Sequence, residues 1–319
     1  MPDDILTGQK EQAMNNGKVD WNGSYIAVVT PFTEERDIDW EAFRENLEFL
    51  MSEGAHGLVV SGCTGESWSL TNEEKLQLFE AAVDVAGPEI PVIAGTGYLQ
   101  TDVVIELSVR AKEIGTAGIM ILPPYYCRPG KREILSHYQA VSDAAQHPIL
   151  LYNIPSRVGR DLTPDLIEEL ADVEWVVAIK ESSDTFLRVE TLLATVADRI
   201  NVFTGHSAER GVPAVLMGAK GFVSSMESQL MGREAIGMYD LIQEDEIERA
   251  AKVQLKTLLL DQAMRTVGTF PANLKAGMNV LGRIGGYPRL PLLELTSEEV
   301  ERVHNILVDL GVESAVPVT

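Results

Sequence analysis

Lys180 ends the apolar run Val176-Val177-Ala178-Ile179. An amine held among such neighbours loses solvation of its charged form, which makes it usable as a nucleophile toward a carbonyl carbon. The same position equally suits a lysine that snorkels out of a strand end or pairs with Glu181. Tyr152 ends the preceding apolar run, Ile149-Leu150-Leu151. Neighbouring strands lie about 4.8 Å apart, so its phenol reaches chemistry at Lys180 as a proton relay, or else packs as a core tyrosine with a satisfied hydroxyl.

Gly62-Cys63-Thr64-Gly65-Glu66-Ser67 follows another apolar run and offers backbone amides, a hydroxyl and two glycines that permit close approach. Such a segment can cradle a carboxylate; a tight turn between strand and helix would use the same residues. No Gly-Lys-Ser/Thr follows at the spacing of a phosphate-binding loop. Arg157, in Asn153-Ile154-Pro155-Ser156-Arg157-Val158-Gly159, carries a planar fork suited to a substrate carboxylate, or to a surface ion pair in so acidic a chain. The five histidines (His56, His137, His147, His206 and His304) have no paired metal-ligand spacing, so no metal is expected. His206 closes a strand and is placed to face a pocket or to serve the structure.

The elements that must position these residues are legible as alternation. Apolar runs occur at Ile26-Ala27-Val28-Val29, Gly57-Leu58-Val59-Val60, Pro91-Val92-Ile93-Ala94 and Gly118-Ile119-Met120-Ile121-Leu122. After the runs ending at Tyr152 and Lys180 come Val202-Phe203-Thr204 and Gly221-Phe222-Val223-Ser224. Near-continuous apolar strands separated by helical segments indicate a parallel sheet covered by helices. Thr71-Asn72-Glu73-Glu74 and Thr296-Ser297-Glu298-Glu299 are capping boxes, and Thr163-Pro164 pairs a cap residue with a proline at the first helical position. Eight such units predict an α/β chain folded as a (β/α)8, or TIM, barrel, whose active site lies at the C-terminal ends of the strands. An open doubly wound sheet ranks below it because no Gly-x-Gly-x-x-Gly turn follows the first strand.

We read residues 1–24 as a polar N-terminal extension, 25–240 as the barrel and 241–319 as a C-terminal helical domain. In that last segment the apolar positions are Leu241, Ile247, Val253, Leu258 and Leu259, followed by Val300, Val303, Ile306, Leu307 and Leu310. The chain has 319 residues, with 48 acidic against 26 basic side chains and a formal charge of −22. Such a surface repels nucleic acid and anionic membranes, and no apolar run approaches the roughly 20 residues of a spanning helix. Two cysteines, Cys63 and Cys127, are too few for a disulfide framework, which points to a reducing, cytoplasmic setting.

Four motifs in order, Gly62-x-Thr64-Gly65-Glu66, Pro124-Tyr125-Tyr126-x-x-Pro129, Tyr152-Asn153-x-Pro155-x-Arg157-x-Gly159 and Ile179-Lys180-Glu181-Ser182, occupy successive strand ends. With them the sequence resembles the pyruvate-dependent class I aldolases of the dihydrodipicolinate synthase and N-acetylneuraminate lyase family, over about residues 24–311. The resemblance implies an enzyme in which Lys180 forms a Schiff base with pyruvate and no cofactor is needed beyond that covalent imine. It further implies that Thr64 and Gly65 hold the keto-acid carboxylate, Tyr152 relays protons, and Gly205 and Val223 border the imine. Tyr126 corresponds to a tyrosine that reaches a neighbouring subunit's site, so a homo-oligomer, a dimer of dimers, is implied.

Two positions depart from the family pattern. Cys63 stands where Thr or Ser is usual, and a thiol is a weaker hydrogen-bond relay than a hydroxyl. Cys127 stands where the synthases usually carry Asn, and Pro123-Pro124 is the opening of several sugar-acid aldolases and dehydratases. Arg157 favours the synthases, in which an arginine there supports substrate carboxylate binding. The leading reading is therefore condensation of pyruvate with aspartate semialdehyde on the route to lysine. The alternatives are cleavage or dehydration of a 2-keto-3-deoxy sugar acid through the same imine, and a non-catalytic keto-acid-binding barrel. The effector site of some synthases would place Trp68, Asn72 and Lys75 around a bound lysine, whose ammonium Lys75 would repel.

Overall fold

Apolar runs only four to six residues long bury both faces when strands lie side by side and helices cover the outside. The computed structural model describes residues 19–312 and has this arrangement. The strands are β1 (Gly23–Ala27), β2 (Gly57–Val60), β3 (Val92–Gly95), β4 (Gly118–Ile121), β5 (Ile149–Asn153), β6 (Val176–Glu181), β7 (Asn201–Thr204) and β8 (Gly221–Ser224). All pair in parallel in chain order, and β8 returns to β1 to close the barrel. One or more helices follow every strand, so the fold is the expected TIM barrel. No helix among the described residues is long and apolar enough to cross a membrane.

The first strand differs from the sequence reading by three residues. Asn22-Gly23 reads as a turn, and Gly23 does have φ +101°, yet it opens β1 opposite Gly221. A Cβ on Gly221 would lie 1.9 Å from the Gly23 carbonyl oxygen, so two backbones meet here where no side chain fits. Residues 19–24, expected within a loose extension, close the N-terminal end of the barrel instead. Trp21 is buried, and a Cβ on Gly118 would sit 2.5 Å from its ring. Asn201 Nδ2 donates to the carbonyls of Val19 and Trp21. Residues 1–18 of the expected extension lie outside the described residues.

Both expected capping boxes are present, with Thr71 and Thr296 accepting from the backbone of Glu74 and Glu299 and receiving their carboxylates in return. Thr163 precedes Pro164 as expected, but its hydroxyl donates to Asp165 rather than capping the helix.

After β8 the chain is helical, and Leu260, Met264, Leu274, Met278, Val303 and Leu307 form a second core beside the barrel. The buried face of helix Ile247–Met264 is Ala250, Gln254, Thr257, Leu260 and Met264. Leu259, read from the sequence as facing inward, is exposed. Polar Gln254 takes the inner place because it has hydrogen-bonding work there. Its Oε1 accepts from Val212 N at 2.8 Å and its Nε2 donates to Ser207 O at 3.0 Å. These bonds fix the start of helix Ser207–Leu216, which borders the site.

Candidate active site

Strand register brings the two most reactive sequence candidates together. Tyr152 on β5 pairs with Lys180 on β6, which pairs with Phe203 on β7, so all three lie at one level. Side chains alternate along a strand, so Lys180 points into the barrel and Glu181 outward. Glu181 accepts from Ser183 N at 2.6 Å and Asn153 Nδ2 at 3.0 Å, and so does not pair with Lys180. Lys180 Nζ lies 4.3 Å from the centroid of the Tyr152 ring. Burial pulls the amine down to about 8; Cys63 and Glu227 draw it back up, and Arg157 pushes it lower. Burial raises the Tyr152 phenol well above its ordinary value, the neighbouring Cys63 adds to this, and Arg157 opposes it. A neutral amine and a protonated phenol side by side are what attack on a carbonyl and protonation of its oxygen require.

They open into a cavity of about 290 Å³. That is near the lower end of the roughly 300–1,000 Å³ common for ligand pockets, a size for small acids and aldehydes. Cys63, Thr64, Arg157, Gly205 and Val223 all line it. At Gly205 a Cβ would lie 1.9 Å from Ser182 Oγ and 2.9 Å from Lys180 Cε, so the lysine stem passes where only glycine leaves room. Gly65 does not line the cavity. Its N–H donates to Gly62 O at 3.1 Å and its carbonyl accepts from Thr30 Oγ1 at 2.9 Å, so it shapes the turn that presents Thr64.

The C-terminal segment holds that turn in place. Glu66 sits in the left-handed region (φ +52°), fully buried, and forms an ion pair with buried Lys275. Lys275 Nζ also donates to Tyr287 O at 2.8 Å, and Arg289 N donates to Glu66 Oε2 at 3.0 Å. The Phe32 ring has the Lys275 ammonium 4.3 Å and the Arg289 guanidinium 4.2 Å from its centroid. Removing Lys275 leaves the Glu66 carboxylate buried without its cation, a loss of about 3–5 kcal/mol for pairs of this kind. Lys275→Met is therefore expected to lower the unfolding midpoint in urea markedly, and adding Glu66→Gln to recover part of the loss. Equal midpoints for Lys275→Met and wild type would contradict this.

Arg157 lies on the short helix Pro155–Val158, its guanidinium 5.6 Å from the Phe270 ring centroid. Among the described residues it has no carboxylate partner, so it is not the surface ion pair that the acidic composition allowed. Tyr126 is not brought to Lys180 within one chain. It lies in the loop after β4, outside the cavity, with φ +65° and 92 % exposure. Trp68 and Asn72 are exposed, whereas Lys75 is buried with Nζ 5.3 Å from the Tyr98 centroid. With that ammonium beside the pocket the effector would need, lysine at concentrations that suit a feedback inhibitor is expected to leave the initial rate unchanged. Strong inhibition would overturn this.

Several cavity residues were not singled out from the sequence: Ser207, Glu227, Asp261, Arg265 and Phe270. Ser207 and Glu227 stand just beyond β7 and β8, and the strand-end rule applied to those two ends would have flagged them. Asp261, Arg265 and Phe270 come from the helical segment, which periodicity alone marks only as an appendage. Burial raises Glu227 and Asp261 above the ordinary carboxylate range.

A closed parallel barrel with a buried lysine facing its C-terminal cavity fits a lyase of the class I aldolase type. Residues 20–310 match the Dihydrodipicolinate synthetase family, and the chain belongs to it. It is similar to the 4-hydroxy-tetrahydrodipicolinate synthase of Oceanobacillus iheyensis, 32 % identical with 93 % of this chain and 98 % of the relative covered. The synthase of Methanocaldococcus jannaschii is 34 % identical, with 91 % and 99 % covered. Among solved structures, a pyruvate complex of the chloride-inhibited dihydrodipicolinate synthase from Acinetobacter baumannii superposes with a TM-score of 0.86 at 29 % identity, with 92 % and 99 % covered.

Proposed function

We propose that this protein condenses pyruvate with aspartate semialdehyde, the activity of a 4-hydroxy-tetrahydrodipicolinate synthase in lysine biosynthesis, with a covalent imine on Lys180 and no separate cofactor. The observation that carries the proposal is the buried Lys180 amine facing the cavity beside Tyr152. In this reading the pyruvate carboxylate rests on the turn at Thr64, shaped by Gly65. The neutral Lys180 amine adds to the keto carbon, and Tyr152, backed by Cys63, protonates the departing hydroxyl so that water leaves and an imine remains. Loss of a methyl proton gives the enamine, whose carbon attacks the aldehyde while a proton reaches the new alkoxide; the semialdehyde's own amino group then adds to the restored imine carbon and expels the Lys180 amine as the ring closes. Gly205 and Val223 border the imine, and Arg157 receives the carboxylate of the second substrate.

Tyr126, exposed on a loop beside the site, supports assembly into a dimer that completes two sites, and a dimer of dimers by family resemblance. The excess of acidic side chains speaks against nucleic acid and anionic membranes as partners, and the two cysteines, too few for a disulfide framework, support a reducing, cytoplasmic setting.

A sugar-acid aldolase or dehydratase is the second reading, favoured by the Cys63 thiol where a hydroxyl is usual. Turnover of aspartate semialdehyde against a panel of 2-keto-3-deoxy sugar acids tests the choice. Preference for the semialdehyde by kcat/KM is expected, and preference for a sugar acid would reverse it.

The depressed amine also sets a pH dependence. Below about 8 most Lys180 is protonated, so imine formation is expected to rise about tenfold per pH unit and to level off above that value. A lysine with the ordinary value of about 10.4 would keep gaining rate for two units more. Rapid-mixing rates of imine formation across this range check the prediction, and a rise continuing past pH 9.5 would contradict it.

A further inference from the structure

The cavity has two poles. Lys180 and Arg157 supply cations on one side. The wall built from the ends of β7 and β8 and from helix Ile247–Met264 supplies Glu209, Glu227 and Asp261. Two of these carboxylates are already matched. Arg265 Nε lies 2.6 Å from Asp261 Oδ2, its Nη2 lies 3.4 Å from Glu209 Oε1, and Arg210 also reaches Glu209 at 3.4 Å.

Glu227 differs from both. It is 4 % exposed, its side-chain partner is the Ser207 hydroxyl, and backbone N–H groups at Ser225 and Glu227 lie alongside. No ion pair holds it among the described residues. Arg265, already paired with Asp261 and Glu209, reaches it with its field, and across the cavity so does the Lys180 ammonium. That charge is lost at the step that matters, because the enamine that attacks the aldehyde is neutral at its nitrogen. A buried carboxylate with no ion-pair partner of its own is costly, and the binding of the pyruvate carboxylate at Thr64 does not use it.

We infer that Glu227, oriented by Ser207, selects the second substrate by receiving the ammonium group of an amino-acid semialdehyde whose carboxylate lies toward Arg157. The inference rests on the proposed function above and assigns the residue that gives it specificity. A dipolar aldehyde would then span the two poles of the cavity with its reactive carbon over the enamine. Burial holds the Glu227 carboxyl above its usual range, and an arriving ammonium supplies the charge that favours its ionised form. An uncharged hydroxylated aldehyde would use Glu227 only as a hydrogen-bond partner, a role glutamine keeps.

The test is Glu227→Gln with saturating pyruvate and varied aspartate semialdehyde, alongside borohydride trapping of pyruvate on the same preparations. Charged hydrogen bonds of this kind correspond to about ten- to a hundredfold in affinity. The expected result is a rise of that size in KM for the semialdehyde, with the pyruvate KM and the yield of trapped adduct as in wild type. An unchanged semialdehyde KM, or a pyruvate KM that rises in step, overturns the inference and leaves the proposed function standing. Wild type that traps pyruvate but does not turn over the semialdehyde overturns both. Ser207→Ala, which frees the carboxylate from its hydroxyl, is expected to raise the same KM by a smaller factor. It serves as the deciding variant where Glu227→Gln does not fold, and an unchanged KM there overturns the inference.

Discussion

Replacing Lys180 with methionine is expected to abolish turnover, lowering kcat by about 10⁴-fold or more, because no other lysine among the described residues lines the cavity to carry the covalent step. The substitution is not expected to harm the fold. Folding moves the Lys180 amine from the ordinary lysine value to about 8, so the folded state carries a cost wherever that amine is protonated. Below about 8 the full cost applies, on the order of a few kcal/mol. It fades as pH climbs toward the unfolded value, so wild type gains stability across that window. Methionine has similar length and no charge, and Lys180→Met should therefore unfold at equal or higher urea concentration than wild type at neutral pH. An inactive variant of undiminished stability separates a chemical role from a structural one. Retention of more than about a hundredth of wild-type kcat would contradict the assignment.

Tyr152→Phe carries the second large effect. The ring stays, and with it the packing under Lys180 Nζ, while the one phenol that lines the cavity among the described residues disappears. A positioned proton donor contributes about 10²- to 10⁴-fold, and the loss is expected in kcat far more than in the pyruvate KM. The half-buried Cys63 thiol beside it is too weak a donor to replace it. Stopped-flow measurement of imine formation in Tyr152→Phe should show the slowed step directly. A rate within a few-fold of wild type would assign the relay elsewhere.

The sequence carried the barrel and its lysine for a definite physical reason. Parallel strands buried on both faces read as short unbroken apolar runs, and a polar residue closing such a run, as Tyr152 and Lys180 do, stands out at the end where barrel chemistry occurs. Register needs no long-range knowledge there, because β5 and β6 are consecutive. The first strand was harder, since Gly23 combines a turn-like φ with a strand position that only its closeness to Gly221 explains. Residues 19–24 read as polar, yet Trp21 is what plugs the barrel.

The least legible parts depend on contacts between segments distant in the chain. Nothing local to Glu66 announces Lys275 or Arg289, and nothing in the periodicity of Ile247–Met264 announces that Gln254 faces inward while Leu259 faces solvent. Both follow from polar groups that burial obliges to find partners. Asp261 and Arg265 join the cavity for the same reason, since their helix is held against Ser207–Leu216 through Gln254. The helical segment is thus part of the site, closing one wall and fixing the turn on the other.

The central claim is that pyruvate becomes covalently attached to Lys180. Incubation of the full-length protein with pyruvate and borohydride, followed by intact mass measurement and peptide mapping, tests it most directly, since reduction converts an imine into a stable amine. The expected result is one pyruvate-derived adduct per chain, located on Lys180. Absence of an adduct while pyruvate still binds would contradict the claim and leave a barrel that holds keto acids without transforming them.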